Sequence, residues 1–144
     1  SPVAGRVVGL AAVPDPVFAQ GMVGPGTAID PVRERTDAVS PVAGTVVKLH
    51  PHAFVVVDAE GHGVLVHLGI DTVQLKGAGF EVHVAEGDTV AAGQSLITWD
   101  PAAVEAGGRS PVCPVVALDA PADVVSTTLT EGDVTRGDEL FQWV

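Results

Sequence analysis

Short apolar runs separated by turn residues organise this chain. Val55-Val56-Val57, Val64-Leu65-Val66 and Val115-Val116-Ala117-Leu118 are bounded by Gly, Pro and Asp. β-branched runs of this length, punctuated in this way, predict strands, and unbroken apolar runs predict strands covered on both faces. One stretch reads as a helix. Asp100 suits its N-cap, Pro101 its first position and Gly107 its end, giving about two turns. The expected fold class is therefore all-β, an antiparallel β-sandwich or flattened barrel with one short helix and glycine-rich corners.

Two internal repeats support a duplicated β motif. Ser1-Pro2-Val3-Ala4-Gly5-Arg6-Val7-Val8-Gly9-Leu10 recurs as Ser40-Pro41-Val42-Ala43-Gly44-Thr45-Val46-Val47-Lys48-Leu49, with eight of ten positions identical. The segment from Glu86 to Leu96 recurs one residue shorter from Glu131 to Leu140, and each copy soon reaches a tryptophan, Trp99 or Trp143. Two copies are too few for a solenoid. The whole chain, residues 1–144, reads as one domain, either free-standing or cut from a longer protein.

Charge narrows the partners. The formal net charge is −11, with only two lysines, Lys48 and Lys76. Phosphate backbones would repel such a surface, so nucleic acid is not an expected partner, whereas a protein with a basic docking face is attracted. No apolar run nears the roughly 20 residues of a membrane helix, so direct membrane insertion is not expected. No signal peptide is visible at Ser1-Pro2-Val3-Ala4-Gly5. The lone cysteine, Cys113, cannot form an internal disulfide and reads as a buried, inert thiol in a reducing compartment, so a cytoplasmic location is expected.

Five histidines occur, at positions 50, 52, 62, 67 and 83. His52 and His67 flank a pattern of strand, turn and strand, with turn chemistry from Asp58 to Gly61. A symmetric turn centred between Ala59 and Glu60 would set Asp58 opposite Gly61, Val55 opposite Val64 and His52 opposite His67. Directly opposed residues share a face, with Cβ atoms about 4.5–5.5 Å apart, and a slip of one residue would separate them. Adjacent imidazoles suit phosphoryl transfer. One neutral ring attacks phosphorus, while the other donates to the oxygens on which charge collects. Such chemistry calls for no metal and no cofactor. His62, in the turn, and His83, between Glu81 and Glu86, are expected to be solvent residues, while His50 stands beside His52.

Other constellations are absent or incomplete. There is no His-Glu-x-x-His helix and no Walker loop, Gly24-Pro25-Gly26 reads as a turn, and Ser40 and Ser110 lack a nucleophile elbow. Pro-Val-Ala-Gly-Thr-Val and Glu-Gly-Asp turns also occur in lipoyl- and biotinyl-type carriers. Those need an exposed lysine at a hairpin tip, which neither Lys48 nor Lys76 offers.

The stretch Val66-His67-Leu68-Gly69-Ile70-Asp71-Thr72-Val73-Gln74-Leu75-Lys76-Gly77-Ala78-Gly79-Phe80 resembles the signature of EIIA domains of the glucose family, components of the bacterial phosphoenolpyruvate-dependent sugar phosphotransferase system. Val13-Pro14-Asp15-Pro16-Val17-Phe18-Ala19, Pro41-Val42-Ala43-Gly44-Thr45-Val46, His52-Ala53-Phe54, Glu86-Gly87-Asp88 and Pro114-Val115-Val116 align in order, so the resemblance covers almost the whole chain. It implies an antiparallel β-sandwich that accepts a phosphoryl group from the phosphocarrier protein HPr and passes it to a cysteine of EIIB during sugar uptake. It further implies that His67 is phosphorylated with His52 as its supporting partner, that Asp71 faces the incoming carrier, and that Phe18, Val17 and Met22 form an exposed apolar docking patch. One position departs from the pattern: His50 stands where the family commonly has threonine. An alternative reading is a regulatory binding protein whose paired histidines hold zinc together with a partner's carboxylate, since two or three histidines alone leave a tetrahedral site incomplete. The sugar is not specified by this chain.

Overall fold

The computed structural model describes residues 1–143. Thirteen strands run β1 (Gly5–Val7), β2 (Gly26–Pro31), β3 (Thr36–Val39), β4 (Gly44–His50), β5 (Ala53–Val57), β6 (Gly63–His67), β7 (Phe80–Val82), β8 (Thr89–Val90), β9 (Ser95–Trp99), β10 (Cys113–Ala117), β11 (Val125–Thr127), β12 (Gly132–Val134) and β13 (Phe141–Trp143). They form an eight-stranded sheet in the order β12-β1-β2-β10-β6-β5-β4-β8, a three-stranded sheet β3-β9-β7 and a two-stranded sheet β11-β13, with every pairing antiparallel. The all-β sandwich expected from the strand pattern is the observed fold.

Period-two alternation divides the large sheet between two cores. Phe54 and Val56 of β5, Val64 and Val66 of β6, Cys113 and Val115 of β10, and Ile29 of β2 meet Ala38, Leu96, Ile97 and Trp99 of the three-stranded sheet in the main core. The intervening positions face the other way. There Ala28, Leu65 and Val116 pack with Val13, Phe18 and Ile70 in a second, smaller cluster. Every residue of β10 is therefore buried, as its continuous apolar run requires.

The lid over that second cluster is the segment between β1 and β2, and it contains a short helix beyond the one expected from the sequence. Helix α1 (Pro16–Ala19) has Asp15 as its N-cap, the carboxylate accepting from the Val17 amide at 2.9 Å. Helix α2 (Pro101–Ala106) lies where expected, with Asp100 capping the Ala102 and Ala103 amides and Gly107 at its end. Both start with Asp-Pro. Only the second also has a glycine at its C-cap, whereas α1 is a single turn that ends at Gln20.

The repeats pair crosswise. The first copy of one motif, β1, pairs with the second copy of the other, β12, through Gly5↔Val134, while β4 pairs with β8 through Gly44↔Val90. Equivalent hydrogen bonds recur: Gly137 donates to the Ser1 carbonyl at 2.9 Å and Gly93 to the Ser40 carbonyl at 2.8 Å. The hydroxyls of Ser1 and Ser40 close onto the carbonyls of Val3 and Val42 at 2.6 and 2.7 Å. The duplicated sequence thus folds into two like corners that close opposite ends of the large sheet.

The hairpin register differs from the symmetric expectation by one residue. The pairs are Val57↔Gly63, Val56↔Val64, Val55↔Leu65, Phe54↔Val66 and Ala53↔His67. Asp58 donates its amide to the His62 carbonyl at 3.0 Å, and Gly61 takes φ +85°. The loop is thus the three residues Ala59, Glu60 and Gly61, with glycine supplying the left-handed position such a loop needs. Asp58 Oδ1 fixes it by accepting the amides of Glu60 and His62, both at 2.9 Å.

Candidate functional site

His67 ends β6 on the sheet face that α1 covers. Beyond it the chain turns at Gly69, whose φ is +80°, and a Cβ there would lie 2.7 Å from Thr72 Cγ2 and 3.1 Å from the Ser110 carbonyl oxygen. Only glycine fits this conformation in this space. The turn is braced from three directions: Ile70 donates its amide to the Ser110 carbonyl at 2.8 Å, the Leu68 amide donates to the His52 carbonyl at 2.7 Å, and the fully buried Thr72 donates its hydroxyl to the Leu68 carbonyl at 2.8 Å. The braced Gly69 carbonyl stands 2.5 Å from His67 Nδ1. A carbonyl only accepts, so Nδ1 carries the proton. In the neutral ring Nε2 then keeps its lone pair.

His52 lies outside the regular ladder, in the two-residue turn between β4 and β5. The strand register sets Ala53 opposite His67. The imidazoles of His52 and His67 nevertheless meet, with centroids 5.1 Å apart and planes at 67°. A turn residue is not bound by strand alternation, so the slip that would have separated two ladder positions does not separate these rings. His50, exposed at the end of β4, stacks on His52 at 5.6 Å and 23°, and Phe18 lies against His67 at 5.4 Å and 58°. Four rings, His50, His52, His67 and Phe18, thus stand in succession.

Both central imidazoles are held neutral. Burial pushes His52 down to about 4, helped by His67 and His50 beside it. Burial also lowers His67. The Gly69 carbonyl and the charges of Asp15 and Asp71 oppose that shift. A neutral, oriented imidazole with a free Nε2 is a nucleophile, and a second neutral imidazole beside it is a hydrogen-bond donor.

The expected docking residues divide. Val17 and Met22 are exposed, at 45% and 69%, and Asp71 is exposed with φ +59° at the head of the 3-10 turn Thr72–Leu75. Phe18 is not part of an exposed patch: at 9% exposure it is a member of the second core cluster. A single helical turn sends residues 17 and 18 in different directions, and the larger ring takes the buried one. Val73 is a further exposed apolar residue, at 60%, in the turn that follows Asp71 within the signature stretch. Gly69 likewise supplies a functional group, its carbonyl, which side-chain chemistry does not advertise.

The remaining histidines lie elsewhere. His83 is exposed, with Nε2 2.6 Å from Thr98 Oγ1. His62 is not a free solvent residue, because it is half-buried against Trp143. Among the described residues no group of three or more His, Cys, Asp or Glu side chains is arranged to hold a metal ion, and no helix is long and apolar enough to cross a membrane. Cys113 is fully buried, and burial pushes its thiol up to about 12.

Fold and site together define a β-sandwich that presents a pair of neutral imidazoles at the rim of its large sheet. A family model described as phosphoenolpyruvate-dependent sugar phosphotransferase system, EIIA 1, matches residues 1–122, and the chain belongs to that family. It is 39% identical over 139 residues to the glucose-specific EIIA component of Bacillus anthracis, covering 95% of this chain and 83% of that protein. It is 53% identical over 107 residues to the glucose-specific EIICBA component of Streptococcus pneumoniae, covering 73% of this chain but only 14% of that much longer protein. The glucose permease IIA of Mycoplasma capricolum superposes with a TM-score of 0.86 at 33% identity, over 98% of this chain and 91% of that one. These matches agree in placing the chain in the glucose family of EIIA proteins.

Proposed function

We propose that His67 carries the phosphoryl group on Nε2, accepting it from phosphorylated HPr and passing it to a cysteine of EIIB during sugar uptake in the cytoplasm. The observation that carries this reading is the hydrogen bond from His67 Nδ1 to the Gly69 carbonyl, which leaves Nε2 as the free lone pair. In the first step the Nε2–P bond forms as the P–N bond to the donor histidine breaks. In the second, a thiolate forms P–S as Nε2–P breaks. His52 is in contact with the receiving ring and donates to the oxygens of the group in flight, where losing one such donor typically costs about 10²–10³ in rate. His50, stacked on His52, acts through it by holding its ring plane. Asp71, Val17 and Met22 meet the partner proteins, with Phe18 backing His67 from the core. Relatives whose names read EIICBA and EIIBCA join an A component to B and C components in one chain, which supports EIIB as the acceptor.

Incubation with phosphorylated HPr followed by phosphopeptide mapping tests the assignment. His67→Ala should take no label. His52→Ala should label slowly at His67 and lose onward transfer to EIIB most visibly. Label at His52 in the His67→Ala variant would reverse the roles, and unaltered labelling in both variants would remove the paired-histidine mechanism.

A further inference from the structure

Arg109 stands in the loop between α2 and β10 and reaches across to the turn that carries Asp71, its Nη2 donating to Gln74 Oε1 at 3.2 Å. The same loop braces the His67 turn, because the Ser110 carbonyl accepts from the Ile70 amide at 2.8 Å. Here lies an open pocket of about 490 Å³, whose wall includes Pro14, Asp71, Gln74, Arg109 and Ser110. Pro14 precedes the Asp15 cap of α1, the helix that presents Val17. The pocket thus adjoins both elements that carry the exposed docking residues.

The charge of Arg109 has no anionic counterpart. Arg33 pairs with Asp30 and Glu105 at 2.6 and 2.9 Å, and Arg35 with Glu81 at 3.5 Å. Arg109 donates instead to a neutral amide, and among the described residues no ion pair reaches it. Its Nε is buried without an acceptor. A half-buried guanidinium with five donors and one long bond is poorly satisfied, and a planar carboxylate that accepts two of those donors in parallel fits it well. Asp71 lines the same pocket, and the chain carries a net charge of −11. A free anion is therefore repelled on approach, whereas a carboxylate carried on an otherwise basic protein face is not.

We propose that Arg109 is a specificity-determining residue for the donor protein: it takes one acidic side chain of HPr in this pocket, while Asp71 takes a neighbouring basic one. Two opposite charges on one rim favour one orientation of the partner and oppose the reverse. This rests on the reading of phosphorylated HPr as donor. HPr needs such a guide more than EIIB does. Relatives whose names read EIICBA and EIIBCA join the A component to B in one chain, and a tether raises the local concentration of EIIB without any added contact.

Rates of His67 labelling by phosphorylated HPr, at limiting and at saturating HPr, test it. At limiting HPr, Arg109→Gln should slow labelling about two- to fivefold, the worth of one exposed ion pair. Arg109→Glu should slow it about tenfold or more, through like-charge repulsion. Both losses should shrink at saturation, and Arg109→Lys, which keeps the charge, should lose less than Arg109→Gln. Overall charge predicts the opposite sign, because losing a cation makes an acidic chain more attractive to a basic partner. Arg35→Gln carries the same change in net charge as Arg109→Gln and should not slow labelling. Among exchanges of the exposed carboxylates of HPr for lysine, one at a time, one should restore Arg109→Glu, and restoration by none would overturn the inference. Labelling unaltered or faster in both Arg109→Gln and Arg109→Glu would overturn it while leaving His67 as acceptor. Equal losses in Arg109→Lys and Arg109→Gln would overturn it by assigning Arg109 to bracing the turn through Gln74. No label in the unaltered chain would overturn the phosphoryl-carrier reading and this inference with it.

Discussion

The ring of His52 meets the ring of His67 edge-on at 5.1 Å although the residue opposite His67 in the ladder is Ala53. The contact is made by a turn residue reaching across a strand end, not by a cross-strand pair. It therefore depends on how the turn at Pro51–His52 is held, and its cost is visible in the burial of a titratable ring.

That burial predicts a pH dependence of stability. His52 is held near 4 in the folded chain against an ordinary imidazole value of about 6.5. Between these values the unfolded chain binds the proton that the folded chain refuses. Stability is then full above about pH 6.5, falls as pH drops toward 4, and levels off below it. The expected loss is on the order of 2 kcal/mol. Urea unfolding at pH 7 and pH 4.5 should show it, and His52→Asn should remove most of the difference. An equal loss in that variant would assign the acid sensitivity to other groups.

Gly69→Ala should be costly for two reasons that act together, the positive φ and the collision with Thr72 Cγ2 and the Ser110 carbonyl. A strained left-handed residue costs about 1–3 kcal/mol. The displaced carbonyl should also release the His67 tautomer. Nitrogen-15 NMR of the imidazole should show a protonated Nδ1 in the unaltered chain and a mixture in the variant. A retained tautomer would detach the Gly69 carbonyl from the site's function.

Phe18 and Met22 should behave oppositely. Phe18→Ala removes a core ring, with an expected loss of about 3 kcal/mol or more. Met22→Ala, at an exposed position, should leave stability within about 0.5 kcal/mol while slowing phosphoryl acceptance. Added salt should slow the same step, through screening of the acidic surface. Met22→Ala kinetics identical to those of the unaltered chain would take Met22 out of the docking surface.

Cys113 should resist alkylation. Fully buried and with its thiol pushed up to about 12, it has almost no thiolate at pH 8. Labelling by iodoacetamide should appear only on denaturation, and prompt labelling of the native chain would show that β10 opens readily.

Local chemistry decides some of these elements outright. The cap, first residue and end of α2 are set by Asp100, Pro101 and Gly107 within a few bonds, and they stand where expected. The strands of the hairpin were legible from their valines, but their register was not. Whether Asp58–Gly61 closes as a symmetric turn or yields its last residue to a three-residue loop depends on small differences in turn energy. The core positions of Val64 and Val66 decide between the two, because they must face Leu96, Ile97 and Trp99. Helix α1 opens with the same local signal, Asp15-Pro16, but it closes after one turn, with Gln20 rather than a glycine at its C-cap.

The sequence by itself determined the class of fold and the family, because strand runs, turn residues and a long signature are properties of neighbours along the chain. Only the tertiary structure decided which nitrogen of His67 is free, that His52 reaches it from a turn, that Phe18 is buried in the second cluster, and that His62 lies on Trp143. Each of these joins residues or atoms whose relative placement is set by the closing of two sheets over a shared core. No run of neighbouring residues encodes that geometry.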